Sequence, residues 1–271
     1  MLRVKRTVFG KAPLAALATV LLYTLPSCGK PSIPSGSSVT LAPATEIAMT
    51  SSLTGKVILA GGRPSSLGKV IDVGGNPFCT GHPQLVSPAW RVAADGGLAD
   101  VVISVRRSSR ASNGTSEPAL IDQKHCEFAP YMTVLQAGQS VRFHNSDLTF
   151  HNIRIIRHEA GTRDGGRNLD NFGQPAQGDE NLKAFGEPGL YRLECDVHRW
   201  MKAWVFVHEG SHAAATGADG TFAINRALAD GEYEVEAWHP QFAEKLSQAV
   251  TVHGGKASVN FEFALAKSLE P

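Results

Sequence analysis

The sequence predicts an all-β protein made of two successive β-sandwich units, and three observations predict it. Short runs rich in β-branched residues recur, among them "GKVILAGG", "ADVVISVRR" and "KAWVFVHEG", each bounded by glycine or polar clusters. Turn signals stand between such runs: Pro188-Gly189, Asp219-Gly220 and Asp230-Gly231. Beyond the first 27 residues, no apolar pattern with helical spacing lasts longer than two turns.

The chain has 271 residues and opens with a segment to be set aside before domains are assigned. Arg3, Lys5, Arg6 and Lys11 precede an apolar run from about Leu14 to Leu25, which is a basic n-region followed by an h-region of signal length. The run ends in "LPSC", which resembles a bacterial lipoprotein box with Cys28 as the lipidated first residue, although Pro26 is unusual there. An ordinary secretory signal cut elsewhere, or a single transmembrane anchor, are the alternatives. The expectation is a lipoprotein-type signal over 1–27 and a chain exported to the bacterial cell envelope, facing the periplasm and lipid-anchored to a membrane. Residues 28–52 are rich in proline, serine and small residues and are expected to form a flexible tether.

From Leu53 the pattern becomes that of a folded domain, and hydrophobic content of 42% is enough for a core. "MTVLQAGQSVRFHNSD" is expected to be strand, turn, strand, and "HNIRII" a further short strand. "RHEAGTRDGGRNLDNFGQPAQGDEN" has no periodicity and is expected to be a long polar excursion. In "GEPGLYRLEC" alternation puts Tyr191, Leu193 and Cys195 on one strand face, with Arg192 and Glu194 on the other. The texture changes near Glu209, so the first unit is drawn over 53–209 and the second, a small sandwich, over 210–271. In the latter, "AVTVHGGKASVNFEF" closes as a hairpin around Gly254-Gly255.

Charge excludes one class of partner. The first 27 residues hold four of the 26 basic residues and none of the 25 acidic ones, which leaves a formal charge of −3 beyond them. There is no basic run or patch, and no nucleic-acid partner is expected.

The chemistry is concentrated in "YRLECDVHRWMKAW", where Cys195, His198 and Met201 stand at three-residue intervals. A blue-copper site needs two imidazoles, one thiolate and a weak axial thioether, with the second imidazole from a different strand. "VRFHNSDLTFHNIRI" provides it: a strand ends at Asn145, the chain turns through Ser146 to Phe150, and His151 opens the next strand. The alternative is a buried cysteine beside two unrelated side chains, or a three-coordinate or zinc site in which Met201 only packs.

On "VRFHNSDLTFHN" and "PGLYRLECDVHRWM" the chain resembles the cupredoxins, small blue-copper proteins such as amicyanin and plastocyanin. The resemblance implies a Greek-key β-sandwich that binds one copper ion, with His151, Cys195 and His198 as equatorial ligands and Met201 as the axial one. It also implies that Asn152 braces the two ligand loops and brings its backbone amide toward the sulfur. It covers about residues 130–208. A wider likeness, on "GKVILAGGRP", "NPFC", "LIDQKHCEFAP", "FGQP", "CDVHRWM" and "EAWHP", is to methylamine-utilisation-like bacterial proteins that join a cupredoxin to a carboxypeptidase-regulatory-like, transthyretin-like sandwich. The chain departs from that pattern at Tyr131, where histidine is common, and at Arg199, where proline is common.

With Cys28 assigned to lipid, Cys79, Cys126 and Cys195 remain for an oxidising compartment, where two of three are expected to pair. If Cys195 is a metal ligand, the pair is Cys79 with Cys126, 47 residues apart. A bridge of that span contributes about 4 kcal/mol in the chain-entropy model. If Cys195 pairs with either of the others, no metal role survives. His82, His125 and His144 are expected to be solvated or capping residues, and His239 structural. Trp200 belongs either to an apolar docking patch or to a contact with the second unit. Asp164, Asp170, Asp179 and Glu180 show no paired acid–base spacing and are expected to be solvated. The expected function is one-electron transfer with a redox protein such as a c-type cytochrome, not enzymatic catalysis. Copper binding and delivery, or a metal-free structural lipoprotein, are the rival classes.

Overall fold

The computed structural model describes residues 53–106, 117–159, 161–162, 164–210 and 212–269. The expected signal, Cys28 and the tether lie outside the described residues, as does the serine-rich stretch over 107–116. The first strands are β1 (Leu53–Ala60), β2 (Val102–Val105), β3 (Ala119–Lys124), β4 (Glu127–Ala129), β5 (Met132–Gln136) and β6 (Ser140–Asn145). They continue as β7 (His151–His158), β8 (Gly166–Gln174), β9 (Glu180–Ala184), β10 (Gly189–Glu194) and β11 (Lys202–His208). The last are β12 (Ala213–Ala215), β13 (Thr221–Ile224), β14 (Gly231–Trp238), β15 (Leu246–Val252), β16 (Ala257–Ser258) and β17 (Phe261–Ala264). Two 3₁₀ turns, Cys79–Gly81 and Leu265–Lys267, are the helical segments among the described residues. None of these is long and apolar enough to cross a membrane. The fold class is all-β, as expected.

One sandwich is built from a five-stranded sheet, β5-β11-β10-β7-β8, and a four-stranded sheet, β4-β3-β6-β9. Ile121, Val141, Phe143, Ile153, Leu193 and Val205 fill the space between them. The continuous apolar run "AWVFV" in β11 has a physical cause. Ala203, Val205 and Val207 face this core, while Trp204 and Phe206 pack on the other side of the sheet with Val102, Met132 and Trp238. A strand buried on both faces shows no alternation.

The other sandwich places the sheet β12-β2-β14-β15 over β13, β1, β16 and β17, with Leu53, Val57, Ile103, Phe222, Val235 and Phe261 in its core. This corrects the boundary drawn at 209/210. Leu53 pairs with Ile224, Val57 with Phe261 and Val102 with Trp238, so β1 and β2 belong to the sheets of the C-terminal sandwich. The sequence marks hairpins through local turn residues but carries no local signal for a strand that returns from far along the chain. The hairpin at Gly254-Gly255 forms as expected: His253 and Lys256 exchange both backbone hydrogen bonds, and both glycines take positive φ.

The polar excursion after His158 is a second correction. Nine of its residues form β8, hydrogen-bonded along β7 at the sheet edge, and its last two, Glu180 and Asn181, open β9. Most β8 side chains are exposed, so no burial period exists to be read. Arg192 is a third case. It lies on the predicted face of β10 but is buried, ion-paired with Glu194 at 2.7 Å and donating to the Asp164 carbonyl at 2.9 Å.

Candidate metal centre

β7 and β10 run antiparallel with Arg154 opposite Glu194, so the residue after β10 and the first residue of β7 lie at the same end of the sheet. His151, Cys195 and His198 meet there, all buried, with one ligand atom from each inside a 4.8 Å group. The two Nδ1 atoms are 2.9 Å apart and Cys195 Sγ is 3.8 Å from His198 Nδ1. The loop from Cys195 to Met201 closes on itself: Met201 N donates to the His198 carbonyl at 2.8 Å, and Cys195 N to the Met201 carbonyl at 3.3 Å. The Met201 side chain is buried in the same core as Cys195.

The loops that carry these residues are tied down by amides and carboxylates. Asn145 Oδ1 accepts from Asp147 N, and its Nδ2 donates to the Thr149 and Gln174 carbonyls at 3.0 and 3.1 Å, which fixes the loop into His151. Behind it, Gln174 lies buried with Gln123 and donates to the Phe143 carbonyl. Asp147 accepts from His125 N at 2.7 Å, Cys126 N at 2.8 Å and His151 Nε2 at 2.9 Å. His125 and Cys126 form a tight turn with φ of 56° and 60°, which turns two consecutive amides toward that carboxylate. With its Nε2 proton on Asp147, His151 presents an Nδ1 lone pair to the site, the tautomer a metal ligand needs.

Asn152 links the first residues of β7 to the loop that follows β10. Its Oδ1 accepts from Asp196 N at 2.7 Å and from the Cys195 thiol at 3.3 Å, and its Nδ2 donates to Asp196 and to Asn171. Burial works against a thiolate at Cys195, but contacts with the His151 and His198 imidazoles and with backbone amides outweigh it and bring the thiol down to about 6. Burial likewise opposes a charged His151, and the Asp147 and Cys195 contacts overcome it, so its pKa is raised. An anion-stabilised thiol beside two imidazoles, in a buried position with the second ring nitrogen of His151 already satisfied, fits a soft or borderline metal such as copper. Asp147 is also near Cys126, but Cys126 is in a disulfide and offers no thiolate.

The disulfide joins Cys79 to Cys126 with Cα atoms 5.8 Å apart, and Cys195 is the free cysteine among the described residues. The bridge fastens the segment before it against the site, where Asn76 Nδ2 lies 3.0 Å from His198 Nε2. Asn76 and Asp147 are the residues that sequence reasoning left without a role. The available signals were "NPFC" and the Asn-x-Asp before His151. Trp200 Nε1 donates to the Cys126 carbonyl at 3.0 Å, and its ring lies 5.2 Å from that of His198. Trp200 and Met201 also line a cleft of about 830 Å³ together with Trp90, Phe128 and Tyr131. The His82 ring lies tilted against that of His125 with centroids 4.7 Å apart, His144 pairs with Glu180 at 3.2 Å, and His239 is buried against Trp90. Asp170 pairs with Lys183 at 2.6 Å, and Asp179 accepts from Ala176 N.

No protein-family model and no curated protein matches this chain. Among solved structures, it is similar to a purple cupredoxin from Nitrosopumilus maritimus at 25% identity, over 33% of this chain and 99% of that one, with a TM-score of 0.28. It is similar to amicyanin from Paracoccus versutus at 18% identity, over 39% of this chain and 97% of that one, with a TM-score of 0.30. A copper-containing nitrite reductase from Thermus scotoductus SA-01 is 15% identical over 56% of this chain and 28% of its own, with a TM-score of 0.29.

Proposed function

We propose that this chain is an exported, lipid-anchored cupredoxin-type protein that carries single electrons between redox partners in the cell envelope. One observation carries the reading: two imidazole Nδ1 atoms and one anion-stabilised sulfur converge in a buried pocket at the end of a sandwich. A copper ion held there supplies a one-electron couple. His151, Cys195 and His198 would be its equatorial ligands and Met201 its axial thioether. Asp147 and Asn152 hold these side chains in place before and after the electron moves, so little has to rearrange. No substrate bond is made or broken in this role. A c-type cytochrome is the partner chemistry proposed, with lipid on Cys28 holding the chain at a membrane. The second sandwich would be a carboxypeptidase-regulatory-like spacer or binding platform.

The test is titration of the purified chain with Cu(II). One equivalent is expected to give an intense thiolate-to-copper band that ascorbate bleaches and that Cys195→Ser abolishes. A chain that stays colourless, or a serine variant that stays blue, overturns the assignment. A copper store or delivery protein is the second reading, and the burial of both histidine rings favours it, since no ligand edge reaches solvent. Slow reduction together with ready metal loss to chelators would select it.

A further inference from the structure

We infer that the cleft where the two sandwiches meet binds a small aromatic monoanion, a flat ring system carrying one carboxylate or sulfonate. The inference does not depend on the metal proposed above. The cleft holds about 830 Å³, within the range of about 300–1,000 Å³ usual for small-molecule sites, which favour junctions between packed units. Trp90 belongs to the core of one sandwich, Phe128 to the core of the other, and Tyr131 to the apolar layer between them. With Trp200, they bring four aromatic side chains to one lining. Aromatic rings pair offset or edge-on with a gain beyond burial, so a flat aromatic body fits this lining better than a saturated one.

An unmade hydrogen bond calls for an acceptor. Trp90 is 2% exposed, yet its Nε1 has no hydrogen-bond partner among the described residues. The other three indoles are satisfied: Trp200 by the Cys126 carbonyl at 3.0 Å, Trp204 by the Tyr131 hydroxyl at 3.2 Å and Trp238 by the Phe242 carbonyl at 3.1 Å. A buried donor without a partner is costly, and buried tryptophans usually find one. Trp90 borders the cleft, so an acceptor lodged there completes it. Charge gives that acceptor its sign. Of the basic lining residues, Arg91 is held by Asp100 at 2.5 Å, and Lys202 lies 3.4 Å from Asp164. Arg63 and Lys124, both exposed, have no ion-pair partner among the described residues. Glu127 is the acidic residue of the lining, and burial pushes its carboxyl up. Two unpaired cations against one carboxyl leave a positive lining that a single anionic group balances.

Isothermal titration of the purified full chain with 2-naphthoate tests this. Saturation at one equivalent is expected, with the neutral 2-naphthamide binding about 10-fold more weakly or worse. The saturated decahydronaphthalene-2-carboxylate, which keeps the charge and loses the rings, is also expected to bind more weakly. Trp90→Phe keeps an aromatic ring and removes the donor, and should weaken 2-naphthoate roughly 10-fold. In ¹H–¹⁵N spectra, 2-naphthoate is expected to move the indole N–H resonance that Trp90→Phe removes. Arg63→Ala combined with Lys124→Ala changes only exposed side chains, is expected to cost about 10-fold in affinity, and serves where the Trp90 variant does not fold. No saturable binding of 2-naphthoate, a naphthamide or saturated analogue that binds as tightly, or a double variant of native affinity overturns the inference. Cys195→Ser is expected to bind 2-naphthoate as the native chain does, so failure of the copper assignment and failure of this one are read separately.

Discussion

Asp147→Asn removes one charge from the most heavily used carboxylate of the site. The native side chain is 2% exposed and accepts three hydrogen bonds, two of them at Oδ2. The best orientation of the asparagine keeps its oxygen at the Oδ2 position and turns its NH₂ against His125 N–H. One charge-assisted bond is then lost, at about 1.5–3 kcal/mol, and two others fall toward the neutral value of about 1 kcal/mol. The sum is a loss of roughly 3–5 kcal/mol, the range found when one partner of a buried charged network is removed. Urea unfolding of the metal-free chain, followed by tryptophan fluorescence, measures it. Metal affinity is expected to fall roughly 10–100-fold as well, because His151 loses the partner that orients it. A variant within about 1 kcal/mol of native stability and with native metal affinity refutes the argument. The pH dependence has a definite sign. Burial opposes the charge on Asp147, but the His151 contact and two amides hold its pKa below the usual carboxylate range. Its contribution is therefore complete above the ordinary carboxylate pKa of about 4 and is lost as pH falls through the lowered value, and the variant should lack that acid limb.

Reducing the Cys79–Cys126 bridge, or replacing both cysteines by serine, should cost about 4 kcal/mol from the 47-residue loop; an unchanged urea midpoint after reduction would contradict this. His239 is fully buried, and burial, with Arg91 nearby, lowers its pKa to about 3. Its contribution is full above pH ~6.5 and declines as pH falls toward 3, because the unfolded chain takes up a proton the folded one refuses. The slope is at most about 1.4 kcal/mol per pH unit. His239→Phe should flatten the stability curve over that window, and an identical slope would rule the effect out.

The meeting of Cys195 and His198 with His151 was legible in part because it is local in sequence: Cys195 and His198 share one loop, and His151 is marked by the Asn145-x-Asp147 turn before it. The all-β class was legible from turn residues and short β-branched runs. The placement of β1 was not, since Leu53 meets Ile224 only through the global fold. The edge strand β8 was hidden for a different reason, its side chains being mostly solvated. Asp147 and Asn76 act across loops, through contacts to Cys126 and His198 that no periodicity encodes. Arg192 was placed on the correct face, but the sequence does not show that this face is covered.

The central claim is that Cys195 and the two histidines hold one redox-active copper. The visible spectrum of the purified chain during Cu(II) titration tests it most directly. An intense band is expected that saturates at one equivalent, bleaches with ascorbate and is absent in Cys195→Ser. A colourless protein with Cys195 still titrating as a free thiol after copper is added would contradict it.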